Sequence, residues 1–569
     1  MITGLTGRRW IVLEEKNRVP EFLIKKYGFV LAQLIYNRKE LFNGDFDEES
    51  IYPSLHRLLD PQLFTNLESI SYRIAQLIKE GKRIAIYGDY DADGITSTAL
   101  LVNFLRDIGV KVKYYIPSRF FEGYGLNRNA IKKISEVADA LIVVDSGTNA
   151  HSELLFARQL GLEVFVLDHH EPVSPEWRAD GIHILNPKLY ADINPLFKHL
   201  ASVGISFYLL IMLRRALNLD MKLKPYLDIV AIGTVADVVP LSLINRIFVK
   251  KGIEEINRRK RPGIKALLEQ ISASSVSSFE LGFNIAPRLN AAGRLDDAKK
   301  AVKLLITQDE KIGKVISSEL EFLNKKRQKL TEHAFKESEK KLKKEKDFSG
   351  IVVADERWHP GIVGIVAGRL VEKYKVPSVV LSVKNGKAVG SARSIPSVNI
   401  YEIMEKHSYL FEKFGGHSLA AGLTIKTDNI PKLKELLSHT LKSMPEEETV
   451  SYIEIDMEVP LSYWTPEKVN QLKILEPFGE GNPYPKFIAK NLRISDFMTV
   501  GPTNQHLKFW LQDENKNAFP ALWWNYGDKL KKLSVGMQID IVYTPKISNW
   551  NGKIAVDFII SDVSISDMR

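Results

Sequence analysis

Ile84-Ala85-Ile86-Tyr87-Gly88-Asp89-Tyr90-Asp91-Ala92-Asp93-Gly94 joins a short apolar run to three carboxylates placed at every second residue. The apolar part reads as a buried strand. Like charges this close, in water-poor surroundings, raise one another's pKa and weaken the fold unless a divalent cation neutralises them. Aspartates capping a helix that begins near Ile95-Thr96-Ser97 are the plainer reading of the same residues. Their neighbours favour the cation.

From Gly81 to about Asn186, strand-like runs alternate with helical patterns, as βαβ units of a parallel sheet do. Strands are expected at Arg83 to Tyr87, Lys111 to Ile116, Ala140 to Val144, Val164 to Leu167 and His183 to Leu185, with a helix over Ser97 to Arg106. Acids follow three of them. Asp89, Asp91 and Asp93 come after the first, Asp145 after Val143-Val144, and Asp168-His169-His170 after Val166-Leu167. Parallel sheets bind ligands outside the carboxyl ends of their strands, so these groups can converge on one crevice. Asp237, the sole charge in Ala231 to Pro240, is a further metal candidate, with capping as its alternative role.

A chain of 569 residues holds roughly three or four domains. Apolar residues make up 45% and charged residues 26%, and no uncharged stretch approaches the roughly 20 residues of a bilayer span. The longest apolar segment, Ala201 to Leu213, reads as a buried helix. Met1 to Arg9 lacks the apolar core of a signal peptide, which places the protein in the cytoplasm, away from any membrane. Without cysteine there is no disulfide, thiol nucleophile or cysteine-bound metal. The net charge of +10, despite a clustered acidic site, favours a polyanionic partner such as nucleic acid, although a merely soluble basic surface would look similar.

Gln308 to Phe348 reads as one long connecting helix, whose lysines and arginines serve equally as a solvated face or as a track for phosphates. A second α/β module follows, with strands near Ile351 to Ala354 and Ser378 to Val383 and helices over Ile362 to Lys373 and Ile400 to Phe414. Short alternating strands then predict a small terminal β-barrel. Its Trp510, Trp523, Trp524 and Trp550 suit either base stacking or core packing. The domains expected are an extension at 1–76 packing on the catalytic domain at 77–307, a helix at 308–348, an α/β domain at 349–446 and a barrel at 447–569.

Several carboxylates with one or two imidazoles suit Mn²⁺ or Mg²⁺, and the donors outnumber the needs of one ion. Two ions of this kind serve phosphoryl hydrolysis. Asp145, arriving alone from another strand, is a candidate for the bridging ligand. His169 is read as a metal ligand, and His170 as a metal neighbour or a proton donor to phosphate. Three further segments offer anion contacts: Pro287 to Arg294, with two arginines and Asn290; Gly390 to Ser394, with Arg393; and Phe414 to Gly422, with paired glycines and His417. Ordinary turns explain each of them alone.

Together these residues resemble the DHH phosphoesterase superfamily, named for a motif matched by Asp168-His169-His170, and within it the RecJ family of single-strand exonucleases. Gly88 to Gly94, Pro117 to Gly125, the Asp237 segment, Arg288 to Arg294, Gly415-Gly416-His417 and Leu475-Glu476-Pro477-Phe478-Gly479-Glu480-Gly481-Asn482-Pro483 carry the likeness. The last resembles the entry to the family's oligonucleotide-binding barrel. The resemblance implies a parallel-sheet DHH domain, a DHHA1-type α/β domain and an OB-fold barrel. It also implies 5′ to 3′ degradation of single-stranded DNA to mononucleotides with two Mn²⁺ or Mg²⁺ ions, in recombination and repair, alongside a single-strand-binding protein and a helicase. By the same resemblance Asp89, Asp91, Asp93, Asp145, His169, His170 and Asp237 form the metal site, with direct ligation by each of the first three left open. Arg119, Tyr124, Arg288, Asn290, Arg294, His359, Arg393, Ser394, Gly416 and His417 would meet nucleic acid. Ser146 stands where related enzymes commonly have asparagine, a change in the surroundings of Asp145. A relative cleaving very short RNA or cyclic dinucleotides, and an inactive scaffold, are the rival readings.

Overall fold

Five parallel strands form the first sheet: β1 (Ile84–Tyr87), β2 (Val112–Tyr115), β3 (Ala140–Val144), β4 (Glu163–Leu167) and β5 (Ile182–Leu185), in the order β2-β1-β3-β4-β5. The computed structural model describes residues 2–14, 18–42, 44, 46–47, 51–120, 122–123, 125–343, 349–442, 451–550 and 553–565. β1 and β3 are buried throughout, which is why they read as unbroken apolar runs. Tyr87 is in register with Val143, and Val144 with Leu167, so the carboxyl ends of β1, β3 and β4 coincide at one sheet edge. Helices α1 (Ala92–Asp107), α2 (Ser202–Ala216), α3 (Leu227–Ala236) and α4 (Ala286–Leu295) contribute to the core on one face of this sheet. Helix α5 (Glu310–Leu342) is the long connection expected from the sequence.

The chain divides into two compact units: Arg38–Arg327 with Leu475–Pro483, and Met1–Asn37 with Gln328–Ile474 and Tyr484–Arg569. Two expected boundaries therefore differ. Residues 1–76, expected as one extension, are divided between the units, because the chain changes unit between Asn37 and Arg38. In the second unit, strand Arg9–Val12 runs parallel to Tyr452–Ile455, and Trp10 packs with Ile455 and Val542. The Leu475 to Pro483 segment, expected as part of the barrel, docks in the catalytic unit. There Asn482 accepts from Arg38 Nε at 3.0 Å and donates to the carbonyls of Leu475 and Pro477, while Ser278 Oγ donates to the Phe478 carbonyl at 2.6 Å.

In the second unit, β6 (Ile351–Asp355), β7 (Ser378–Lys384), β8 (Lys387–Arg393), β9 (Phe411–His417) and β10 (Ala420–Lys426) form a mixed sheet in the order β9-β10-β8-β7-β6, with helices α6 (Val363–Tyr374) and α7 (Ile400–Lys406). The helix expected over Ile400 to Phe414 stops at Lys406. Residues from Phe411 onward pair with β10 instead, since Gly415-Gly416 suits a hairpin arm and not a helix. β11 (Met457–Glu458) leads into a barrel of β12 (Phe487–Val500), β13 (His506–Gln512), β14 (Ala518–Trp523), β15 (Gln538–Trp550) and β16 (Lys553–Ile565), closed by pairing of β12 with β15. Trp523 fills its core, whereas Trp524 is exposed.

Asp562, wholly buried in β16, accepts hydrogen bonds from Thr6 N, Thr6 Oγ and Trp10 Nε1 at 3.1, 2.7 and 3.0 Å. Asp562→Ala would strand the buried Trp10 Nε1 and the half-buried donors of Thr6, so a loss of about 2 kcal/mol of stability is expected in urea titrations. A loss below about 1 kcal/mol would mean that water replaces the carboxylate.

Candidate metal centre

Asp89, Asp145 and Asp168 leave the aligned strand ends, and the loops beyond them bring the remaining groups inward. Asp91 is the N-cap of α1, its Oδ1 accepting from the backbone of Asp93 and Gly94 at 3.0 and 3.1 Å. Capping and proximity to the cluster are thus compatible. Asp93 accepts from Ser202 N at 2.7 Å and Val203 N at 2.9 Å, so the amino end of α2 holds this carboxylate. Asp145 has a φ of 60° and Gly147 one of 110°, a left-handed turn that costs an aspartate energy and redirects its side chain. Asp237 is the C-cap of α3.

His169 Nε2 lies 3.3 Å from Asp145 Oδ1, 3.5 Å from Asp237 Oδ2 and 3.8 Å from Asp93 Oδ2. Potential donor atoms of Asp89, Asp91 and Asp145, of Asp93, His169 and Asp237, and of Asp145, His169 and His170 fall within 4.8 Å of one another in each trio. The trios overlap at Asp145 and His169. Asp89 Oδ1 and Asp237 Oδ2 are buried without a hydrogen-bond partner. Burial, then the charge of Asp91, drives the Asp89 carboxyl well above the ordinary range, and burial with Asp91, Asp93 and Asp237 does the same to Asp145. Asp237 is raised by burial and by Asp93, and Asp93 is pushed up to about 7 by burial and Asp91. Burial and the charge of His170 lower His169 to about 4, leaving a neutral imidazole able to donate a lone pair. Orphaned carboxylate oxygens beside a neutral imidazole fit hard divalent cations.

Asp168 does different work. Its Oδ1 meets His170 Nδ1 at 2.7 Å and accepts from His169 N at 2.8 Å, while Oδ2 accepts from Thr148 N at 2.9 Å. Burial opposes its charge, but the bond from His170 and the two imidazoles prevail and hold it well below the usual range. His170 answers oppositely, burial lowering its pKa and the Asp168 bond raising it to a net increase. Asn186, fully buried after β5, donates to Thr148 Oγ1 at 2.9 Å and to the His170 carbonyl at 2.8 Å. Neither Asn186 nor Thr148 was singled out by sequence; an asparagine directly after an apolar strand was the available signal. Ser146 Oγ is buried without a hydrogen-bond partner.

The expected nucleic-acid groups occupy varied settings. The Arg119 guanidinium lies 5.3 Å from the Tyr90 ring centre. Asn290 accepts from Ala92 N at 2.9 Å and so steadies the acidic loop, and Gly293 packs where a Cβ would stand 2.3 Å from the Tyr90 carbonyl. Arg294 sits near enough for its charge to act on the Tyr90 hydroxyl. Arg288 Nε approaches Glu321 Oε2 at 2.7 Å as an ion contact, too oblique for an aligned hydrogen bond, and its Nη1 donates to the Asn284 carbonyl. Tyr124 lies outside the described residues. In the second unit, Arg393 and His417 both pair across their strands with Ala420, so they flank one residue at the same end of the sheet. Arg393 Nη1 donates to Ser391 Oγ at 2.8 Å, Ser394 Oγ donates to the Val398 carbonyl, and His359 Nδ1 accepts from Gly361 N at 3.0 Å. Gly416, with a φ of 150°, abuts the Ala420 carbonyl where a Cβ could not fit.

A parallel sheet whose strand ends carry acids and a paired imidazole motif defines a DHH-type phosphoesterase module. The DHH family N-terminal domain matches residues 83–234, the DHHA1 domain residues 347–443 and the RecJ OB domain residues 455–562. The single-stranded-DNA-specific exonuclease RecJ of Escherichia coli is 33% identical over 549 residues, covering 90% of this chain and 92% of that one. The protein of the same name from Bacillus subtilis is 36% identical and covers 90% of this chain, which spans 65% of its length. The crystal structure of RecJ with Mn²⁺ from Thermus thermophilus superposes with a TM-score of 0.84 at 30% identity, covering 98% of this chain and 79% of that one. The chain belongs to the RecJ family.

Proposed function

We propose that this protein is a metal-dependent exonuclease that degrades single-stranded DNA from its 5′ end to mononucleotides, using two Mn²⁺ or Mg²⁺ ions, in recombination and repair in the cytoplasm. The overlap of the acidic trios at Asp145 and His169 carries this reading, because it offers two adjoining nests of hard donors joined by shared ligands. Asp89, Asp91, Asp93, Asp145, His169 and Asp237 would hold the ions, with His170 beside them. When bound, such ions supply charge neutralisation for the phosphoryl group and activation of the attacking water.

The chain's own residues do the rest. The amino end of α2 holds Asp93 in place, the Asp145 turn aims its carboxylate at His169, and Asp168 fixes the ring of His170. His170, oriented with Nδ1 on Asp168, presents its other ring nitrogen for a proton at a phosphate or leaving-group oxygen. Arg393, His417 and Ser394 in the DHHA1 domain, Arg119 in the DHH domain, and Asn290 and Arg294 beyond it in the same compact unit, are proposed to engage the strand's phosphates. The barrel supports a long single-stranded substrate. A single-strand-binding protein and a helicase are the proposed partners.

Digestion of 5′-labelled long single strands, duplexes and dinucleotides, with Mn²⁺ present or chelated, tests the reading. Metal-dependent release of labelled mononucleotide from long single strands is expected. Preference for dinucleotides would move the protein to short-substrate chemistry, and inertness with every metal would leave the scaffold reading.

A further inference from the structure

On the side of the acidic cluster formed by His169 and Asp237, a cavity of about 420 Å³ is lined by His169, Glu171, Lys188, Lys198, His199 and Pro240. Its size lies in the range of roughly 300–1,000 Å³ typical of small-ligand sites. Lys188 is close enough for its charge to act on Asp237, His169 and His199. Its Nζ also meets Glu171 Oε1 at 2.8 Å, but Glu171 is largely exposed and such a contact exchanges readily with solvent. Lys198 makes no ion pair among the described residues. The walls are built: buried Asn245 donates to the carbonyls of both His199 and Pro240, at 2.7 and 2.8 Å, tying the two sides together. Behind Pro240, Leu241 N donates to the Glu480 carbonyl at 2.8 Å, so the docked Leu475–Pro483 segment braces this wall. His199 Nδ1 is buried with no hydrogen-bond partner.

Cations thus stand beside different members of the acidic cluster, Arg119 near Tyr90 and Asp89, and Lys188 near Asp237 and His169 with Lys198 lining the same cavity. A polyanion laid across the cluster would meet both. We infer that Lys188, Lys198 and His199 form a subsite for the phosphodiester next to the scissile one, toward the body of the strand. This inference rests on the exonuclease reading and names the residues that grip the strand beyond the bond being cut. Lys188 and Lys198 supply charge-assisted hydrogen bonds to its oxygens, and His199 a ring nitrogen.

A single-stranded oligonucleotide carrying one neutral methylphosphonate at its second internucleotide linkage, compared with the all-phosphate strand, tests the subsite. On the native protein the neutral linkage is expected to raise KM about tenfold, the scale of one lost charge-assisted contact. Lys198→Gln should raise KM for the all-phosphate strand by a similar factor and abolish discrimination between the two strands, because the loss is then already incurred. Lys198→Arg should restore both. Discrimination retained in full by Lys198→Gln would overturn the assignment, as would equal KM values on the native protein. Relief by Lys198→Gln of inhibition by free mononucleotide or inorganic phosphate, with discrimination intact, would make this a product site instead. If the native protein cleaves neither strand, the exonuclease reading fails first.

Discussion

Asp145→Asn is expected to reduce release of mononucleotides by at least about 10³-fold, the scale of losing a group that organises the reacting charges. Asp145 belongs to two donor trios and stands 3.3 Å from His169, so no neighbouring side chain can take its place in both. The metal-free protein should at the same time become harder to unfold. Burial and four neighbouring aspartates, Asp91, Asp93, Asp237 and Asp89, all disfavour a charge at this position, and asparagine removes one like charge while keeping the shape. A rise of about 1–2 °C in Tm without metal is the expected size for roughly 1 kcal/mol in a unit this large. Activity and stability moving in opposite directions is the signature of a site built for function. Near-native turnover by Asp145→Asn would remove the joining role, and a lower metal-free Tm would mean that the aspartate is structural.

Asp168→Asn should also cost heavily, by about 10²-fold in turnover, although this carboxylate is held among backbone donors and is placed to orient, not to ligate. It accepts from His169 N and Thr148 N and meets the His170 ring at 2.7 Å, and against the opposing effect of burial it raises the pKa of that ring and holds it aimed. Asparagine preserves size but cannot accept at both oxygens. The loss should appear in kcat, with single-strand affinity in the absence of catalysis little altered, which separates orientation from substrate grip. An equal fall in affinity would instead point to collapse of the Thr148 to His170 loop, and Asn186→Ala should then reproduce it.

The parallel sheet was legible because its central strands are buried on both faces and so appear as short, largely β-branched runs of the right length, with turn signals between them. The acid-bearing loops were legible for the same reason, since each follows the end of such a run. The β9 and β10 hairpin was not. Phe411 and Phe414 suit the apolar spacing of a helix as well as a strand, and only pairing with Ala420–Lys426 decides between them. The fate of Leu475–Pro483 was equally hidden, because its docking depends on Arg38 and Ser278, each more than a hundred residues away in sequence.

By itself the sequence determined the chemistry: which acids and imidazoles exist, that they follow strand ends, and that no thiol could serve in their place. Tertiary structure alone decided their division of labour. Asp89 and Asp237 keep bare buried oxygens, whereas Asp168 is saturated by backbone donors, and nothing in their spacing distinguishes them. The reason is physical: residue type fixes what an atom can do, but desolvation and hydrogen-bond partners come from segments distant in the chain, and these set which atoms remain available to a metal or a phosphate.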